Sequence, residues 1–351
     1  MTDDTTDASV AAARTSRARG GAATNTRKLL LSDSLAPAAR RILDRRADIE
    51  QVYFPHLLPN DDFLARVKQE APVAGWTLGA TRIDSEVIEA AEALQVTARI
   101  GVGFDAIDVP AHTERGIPVM TAGTGNSPSV AEHALFMMLA LARRSAELDH
   151  AVRNGRWLER MQMVPLDLYG RTVLVIGFGR IGSRTAKRCA AMEMDVAIYD
   201  PLVDAATIEA AGYRAEADLD AAVAAADIVT IHCPKSPETL NMFDAARIAR
   251  MKPTAYLINT ARGGLIDEAA LAEALDAGRL AGAGLDVFAE EPVAPDNPLL
   301  KRADVITSPH MAGVTREALE RMGINAVNNI LSVFDGAPIV ENAINPDVFD
   351  T

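Results

Sequence analysis

Long apolar runs are missing from this chain of 351 residues. None reaches the roughly 18 consecutive positions that a membrane-spanning helix requires. The first 26 residues, Met1 to Thr26, hold no hydrophobic stretch of the kind a secretory leader carries, so export by that route is not expected. Arg14, Arg17 and Arg19, with no acid after Asp7, faintly resemble a transit peptide. Asp3, Asp4 and Asp7 spoil that pattern and favour a disordered tail. Positive charge is also scarce: 35 Lys and Arg face 48 Asp and Glu, a net charge of −13, and no basic cluster stands out. That balance argues against nucleic acid or an anionic membrane as partner. An anionic small molecule still fits if positive charge is focused locally. Two cysteines, Cys189 and Cys233, make neither a disulfide framework nor a metal spacing, and they suit a reducing cytoplasm. The six histidines form no HxxxH or similar group, so no metal is expected.

What is present is the composition of a globular protein of about two domains, 49% hydrophobic and 24% charged. From Lys28 onward short apolar runs alternate with helical patterns. Leu29–Leu31, Gln51–Phe54, Trp76–Leu78 and Val96–Ile100 read as strands, with helices at Pro37–Arg45, Asp61–Lys68 and Ser85–Leu94 between them. Such alternation means parallel βα units. Ser127-Pro128-Ser129-Val130-Ala131-Glu132 reads as a helix start, with Pro128 in the first turn and a capping box between Ser129 and Glu132. The helix that follows, His133 to Leu141, is apolar nearly all round and is expected to be buried, in a core or at a subunit contact.

The chain is organised around residues 171–182. Val173 to Ile176 is a β-branched run suited to a strand buried on both faces, and it leads into Gly177-x-Gly179-x-x-Gly182 and a helical segment. Glycines here permit a tight turn, close approach of backbone N–H groups to a pyrophosphate, and close helix–strand packing. A second run, Val196–Tyr199, ends at Asp200, about where an acidic side chain meets the adenosine ribose hydroxyls. A carboxylate there repels a 2′-phosphate, and Pro201-Leu202-Val203 offers no arginine to hold one, so NAD is expected rather than NADP. With Ile228–Ile231, Ala255–Ile258, Gly282–Leu285 and Val305–Thr307, six strands complete a doubly wound dinucleotide fold. The helix Arg316–Phe334 is apolar at helical spacing and is expected to return to the first domain.

Three polar groups follow three successive strand ends: Arg262, Asp286 and His310, with Glu291 on the loop after Asp286. All belong on the carboxyl edge, where ligands of open α/β sheets lie. Hydride transfer to a ketone needs a proton donor for the developing alkoxide, and histidine suits that role near neutral pH. A carboxylate such as Glu291 can orient and tune the ring, and an arginine can clamp a substrate carboxylate through two hydrogen bonds. Taken singly, each residue has a plainer reading: Arg262 paired with Asp267 or capping a helix, His310 a surface-loop histidine, Glu290-Glu291-Pro292 a solvated turn. Gly101-Val102-Gly103-Phe104-Asp105 is either a ligand loop or a tight connection.

Asn259-Thr-Ala-Arg262-Gly-Gly-Leu-Ile-Asp267, Gly284-Leu-Asp286-Val-Phe-Ala-Glu-Glu291-Pro292 and Ser308-Pro309-His310-Met-Ala-Gly313 resemble the signatures of the D-isomer-specific 2-hydroxyacid dehydrogenases. The resemblance runs from Lys28 to Pro346. It implies Arg262, Glu291 and His310 as the catalytic set, and a substrate carboxylate on the backbone of Val102 and Gly103, with Leu78 nearby. It implies cofactor contacts at Gly177, Gly179, Arg180, Ile181, Gly182, Asp200, His232, Cys233, Pro234, Thr239, Thr260, Ala261, Asp286, His310 and Gly313, Asp286 meeting the nicotinamide carboxamide. It implies a homodimer joined through the helix after Ser129. It also implies a dinucleotide domain, 128–313, inserted in a discontinuous flavodoxin-like substrate domain, 27–127 with 314–351. Many phosphoglycerate dehydrogenases carry an arginine near Leu78. Here Thr77-Leu-Gly-Ala-Thr-Arg82-Ile-Asp84 is nearer the glyoxylate/hydroxypyruvate reductases, although Arg82 could serve a phosphate. The expected activity is NAD-dependent interconversion of a small 2-oxo acid and its D-2-hydroxy acid. NAD(H)-sensing corepressors that resemble the family supply the alternative, a binding scaffold.

Overall fold

A computed structural model describes residues 26–79 and 81–350. The expected disordered tail therefore lies outside the described residues, apart from Thr26. Two parallel sheets carry the fold. The first holds β1 (Arg27–Ser32), β2 (Ile49–Phe54), β3 (Gly75–Leu78), β4 (Val96–Arg99) and β5 (Val119–Met120), in the order β2-β1-β3-β4-β5. The second holds β6 (Thr172–Ile176), β7 (Asp195–Tyr199), β8 (Arg214–Ala215), β9 (Ile228–Ile231), β10 (Tyr256–Asn259), β11 (Gly282–Leu285) and β12 (Val305–Thr307). Its order is β12-β11-β10-β9-β6-β7-β8, so the chain reverses direction across the sheet between β6 and β9. That switch point opens a crevice beyond the carboxyl ends of the strands.

Strand periodicity explains how each sheet fills two layers. In β6, Leu174 and Ile176 join a core with Phe243, Leu257 and Leu271, while Val173 and Val175 face Met137, Met138 and Cys189. In β1, Leu30 packs with Phe63 and Trp76, while Leu29 and Leu31 meet Met322, Val327 and Ile330 of the helix Arg316–Phe334. That last helix does return to the first sheet. Its start is capped by Thr315, whose side chain accepts from Ala318 N.

Two strands, β5 and β8, add to those expected from sequence. Each has two residues, too few for an alternating pattern, and each is defined by its neighbour's ladder. The second sheet accordingly has seven strands, not six. The expected capping box is also corrected. The helix begins at Ser127, so Ser129 already lies in its first turn. Ser129 Oγ bonds Thr315 Oγ1 at 3.2 Å, and Glu132 accepts from Arg188 at 2.9 Å. The segments that cross between the two sheets are knit together: Asn329 Nδ2 donates to Thr121 O at 2.7 Å and Asn342 Nδ2 to Asn329 Oδ1 at 2.9 Å.

Candidate active site

The glycine turn after β6 is built as a cradle. Gly177 has φ +92, and a Cβ there would press on the His232 carbonyl at 2.9 Å. A Cβ on Gly182 would collide with the Gly177 carbonyl oxygen, whereas one on Gly179 would meet nothing within 4 Å. The middle glycine thus faces open space while the outer two allow close packing. Asp200 closes the turn from β7, its Oδ2 accepting from Phe178 N at 2.7 Å and its Oδ1 from Leu202 N at 2.9 Å. A carboxylate can accept about four hydrogen bonds, so ribose hydroxyls can still be received. His232 Nδ1 and Thr260 Oγ1 are buried without a hydrogen-bond partner among the described residues, as polar atoms that a ligand satisfies would be. The residues present fit a dinucleotide. Burial pushes the His232 ring down to about 3, so it is neutral.

Beyond β10, Asn259 shapes the arginine loop: its Nδ2 donates to Arg262 O at 2.8 Å and its Oδ1 accepts from Ala261 N at 3.0 Å. Gly263 passes so close to Phe288 that a Cβ would collide with the Phe288 carbonyl oxygen. Arg262 then reaches the first sheet. Its Nε donates to Asp105 Oδ2 at 2.9 Å, its Nη1 to Ala261 O at 2.7 Å, and a Cβ on Gly103 would collide with its Nη2. Neither plainer reading of Arg262 describes it, because Asp267 caps a helix instead, accepting from Ala269 N and Ala270 N. Burial alone would raise the Asp105 carboxyl, but the charge and hydrogen bond of Arg262 outweigh it and hold Asp105 below its ordinary range. Arg99 stands behind the same loop with its Nε on Gly103 O at 2.8 Å. Burial, then the nearby Arg262 charge, lowers its guanidinium to about 10. Positive charge is focused here on a chain that is acidic overall.

His310 follows β12 in a left-handed conformation, φ +55. Its Nδ1 lies 2.8 Å from Glu291 Oε2, and Glu291 Oε1 accepts from Phe288 N at 3.1 Å. Nε2 is left as the nitrogen available to a reactant. Asp286, 1% exposed, accepts from Ser308 Oγ, Met311 N and Ala312 N at 2.5, 2.8 and 2.9 Å. Its carboxylate therefore braces the histidine loop as well as standing at the cofactor end of β11.

Other expected residues are placed less directly. Leu78 is fully buried among Leu30, Phe54 and Trp76, so its side chain faces the core and not a substrate; the expectation is corrected on that point. Thr239 Oγ1 donates to Pro234 O at 2.8 Å and accepts from Ser236 N at 2.7 Å, which commits it to shaping its own loop. Arg180 sends its side chain away from the cradle to the carbonyls of Gly123 and Glu341, at 3.2 and 3.3 Å. Cys233 and Pro234 follow His232 at the end of β9, and a Cβ on Gly313 would press on Asn126 Nδ2 at 2.7 Å. Arg99 and Asn126 join the site without a sequence pattern that marks them for it, while Asn259 heads the arginine signature and Ser127 the helix start without a role of their own being legible there. Asn126 Oδ1 and Ser127 Oγ are buried and unpartnered at the helix start beside Gly313. Their only sequence signal is their place beside the helix start, which is common in caps. Among the described residues no cluster of three or more His, Cys, Asp or Glu could hold a metal, and no helix is long and apolar enough to cross a membrane.

Residues 135–312 match the family model described as D-isomer specific 2-hydroxyacid dehydrogenase, NAD binding domain. The chain belongs to that family. Among curated relatives it is 45% identical over 265 residues to a D-3-phosphoglycerate dehydrogenase of Archaeoglobus fulgidus, covering 76% of this chain and 50% of that one. It is 39% identical over 317 residues to a D-3-phosphoglycerate dehydrogenase of Mycobacterium tuberculosis, covering 90% and 58%. The chain thus spans between half and three-fifths of the length of these relatives. Among solved structures, a glyoxylate reductase from Paecilomyes thermophila has a TM-score of 0.81 at 27% identity, covering 92% of this chain and 99% of that one. The family, the doubled parallel-sheet architecture and NAD as cofactor agree with the expectations from sequence.

Proposed function

We propose that this chain catalyses 2-oxo acid + NADH + H⁺ ⇌ D-2-hydroxy acid + NAD⁺, with Arg262, Glu291 and His310 at the reacting centre. The observation that carries this reading is that an arginine held at Gly103 and a carboxylate-held histidine both follow strands, β10 and β12, of the sheet whose β6 turn forms the dinucleotide cradle. Bound NAD supplies or removes the hydride at carbon 2. Arg262 holds the substrate carboxylate against the N–H groups of Val102 and Gly103, which fixes the carbonyl within reach of His310. His310 gives a proton from Nε2 to the carbonyl oxygen as charge develops there, and takes it back in the oxidative direction. Glu291 on Nδ1 fixes the ring and its orientation.

The substrate reading is a D-3-phosphoglycerate-type acid, supported by the names of the relatives at 39–45% identity. Arg82, which shares a cavity of about 540 Å³ with the carboxylates of Asp84, Asp105 and Asp108, is the residue proposed to meet a phosphate. The likeness of the stretch 77–84 to the glyoxylate/hydroxypyruvate reductases, with a glyoxylate reductase among the structural neighbours, supports instead a small unphosphorylated acid such as glyoxylate or hydroxypyruvate. Loss of NADH absorbance with phosphohydroxypyruvate, hydroxypyruvate, glyoxylate and pyruvate decides between them. Turnover on none, with NADH bound tightly, would sink the enzyme reading and favour a binding scaffold.

The division into a substrate unit, 27–127 with 314–351, and a dinucleotide unit, 128–313, belongs to the same reading, as does a homodimer. Phe136 on the Ser127–Ala142 helix, and Trp157, Leu158 and Met161 on the short Trp157–Gln162 helix that comes after the intervening Ser145–Arg153 helix, are exposed apolar side chains that a second copy would cover. Light scattering that returned a monomer mass would refute it.

A further inference from the structure

His133 takes no part in the chemistry above, yet it touches the loop that carries His310. It sits on the Ser127–Ala142 helix with its side chain 23% exposed, and its Nε2 lies 2.9 Å from Ser308 Oγ. Ser308 Oγ lies in turn 2.5 Å from Asp286 Oδ1. Counting protons assigns the donors. Asp286 already accepts from Met311 N and Ala312 N, and an ionised carboxylate has no hydrogen to give. The single hydroxyl proton of Ser308 therefore goes to Asp286. Ser308 Oγ must then accept from His133, whose Nε2 carries a hydrogen. The chain has one direction: His133 to Ser308 to Asp286, and Asp286 grips the backbone that follows His310.

That grip has a purpose at His310. A non-glycine residue at φ +55 is strained and persists only where its surroundings impose it. The Asp286 carbonyl accepts from His310 N at 2.7 Å, and the Asp286 carboxylate takes the next two amides. The aim of the imidazole depends on this turn, and the turn depends on which way the Asp286 carboxylate is held.

We propose that His133 is a positioning residue for the reaction, acting through Ser308 and Asp286 to hold the left-handed turn that aims His310. The proposal rests on the reading of His310 as the acid–base group. A plainer role exists, since the His133 ring also packs against Phe136 with centroids 5.6 Å apart. The two roles separate by substitution. Glutamine retains an N–H donor at similar reach without the ring, and leucine retains apolar bulk without the donor.

The test compares wild type with His133→Leu, His133→Gln, Ser308→Ala, the double variant that combines His133→Leu with Ser308→Ala, and His310→Gln. Turnover, KM, NADH affinity by fluorescence and the melting curve are read for each. His133→Leu is expected to lower kcat by about 10- to 100-fold while KM and NADH affinity stay nearly unchanged, the signature of a misplaced catalytic group. His133→Gln recovers most of that loss. The double variant is no worse than the poorer single one, because both act in one chain. The ¹⁵N shifts of His133 in the wild type show Nε2 protonated. Full turnover in folded His133→Leu, or an unprotonated Nε2, overturns the proposal. Should that variant not fold, His133→Gln as slow as Ser308→Ala overturns it equally. Wild-type turnover in His310→Gln would instead refute the reading of His310 itself.

Discussion

Arg262 commits Nε to Asp105 and Nη1 to the Ala261 carbonyl, which leaves Nη2 against Gly103. The side chain is thus oriented by its own fork before any substrate arrives, and that preorganisation lowers the entropy cost of clamping a carboxylate. Lysine keeps the charge but has no fork with which to hold Asp105 and a ligand together. Arg262→Lys is therefore expected to raise KM for the 2-oxo acid by about 10- to 100-fold and to lower kcat as well, with Arg262→Ala worse in both. Steady-state kinetics check this, and unchanged constants would remove Arg262 from the site. Asp105→Asn keeps an acceptor and loses the charge. Its expected effect is smaller, a rise in KM of up to about tenfold. The pairing of Arg262 with Asp105 joins residues far apart in the chain. No local pattern announces it, although both residues stand out within their motifs. Arg99 is invisible in sequence for the same reason: a half-buried arginine at the end of a strand acquires meaning only when the loop it supports is seen.

At the scale of elements, the glycine turn separates two kinds of glycine that look alike in sequence. Gly182→Ala would drive its Cβ into the Gly177 carbonyl, so the helix Gly182–Ala191 could not seat on β6. The expected cost is about 1–3 kcal/mol or more of stability, together with loss of NADH binding. Gly179→Ala meets no protein atom within 4 Å, and its Cβ would enter the space a dinucleotide needs. Its melting temperature should match that of wild type while NADH affinity falls. Equal melting of both variants would contradict this division of labour. Central strands such as β6 and β9, buried on both faces, are legible in sequence because an unbroken β-branched run has few alternative homes. The helix Arg316–Phe334 is legible because its period is long. β5 and β8 are not, since two residues carry no period. The start of the Ser127–Ala142 helix misleads because Thr315 and Arg321 draw off the Ser129 hydroxyl from the other end of the chain.

At the scale of the whole molecule, two histidines, His112 buried and His232 half-buried, make the fold sensitive to acid. Trp76 Nε1 donates to Thr97 Oγ1 at 2.7 Å, and Thr97 Oγ1 lies 2.8 Å from His112 Nε2. His112 Nδ1 donates to Asp108 O at 2.7 Å. With its one hydrogen on Nδ1, the neutral ring accepts at Nε2 from the Thr97 hydroxyl, and protonating Nε2 would take that acceptor away. Burial holds His112 below its ordinary value, and burial holds His232 near 3. Above the unfolded value of about 6.5 neither state binds a proton there, and these residues add no pH dependence. As the pH falls below about 6.5 the unfolded chain takes up protons that the folded chain refuses, so stability declines through that window towards pH 3. Paired carboxylates come later: Asp48, held at about 2 by its hydrogen bond to Arg46, loses its contribution only below the unfolded carboxylate value of about 3.9. A decline in melting temperature between about pH 6.5 and 4.5 is therefore assigned to the histidines. His112→Asn should cost stability at neutral pH, and its deficit relative to wild type should shrink as the pH falls through that window, because the variant has one fewer proton to refuse. A deficit that stayed constant from about pH 7.5 to 4.5 would show that His112 titrates alike in both states.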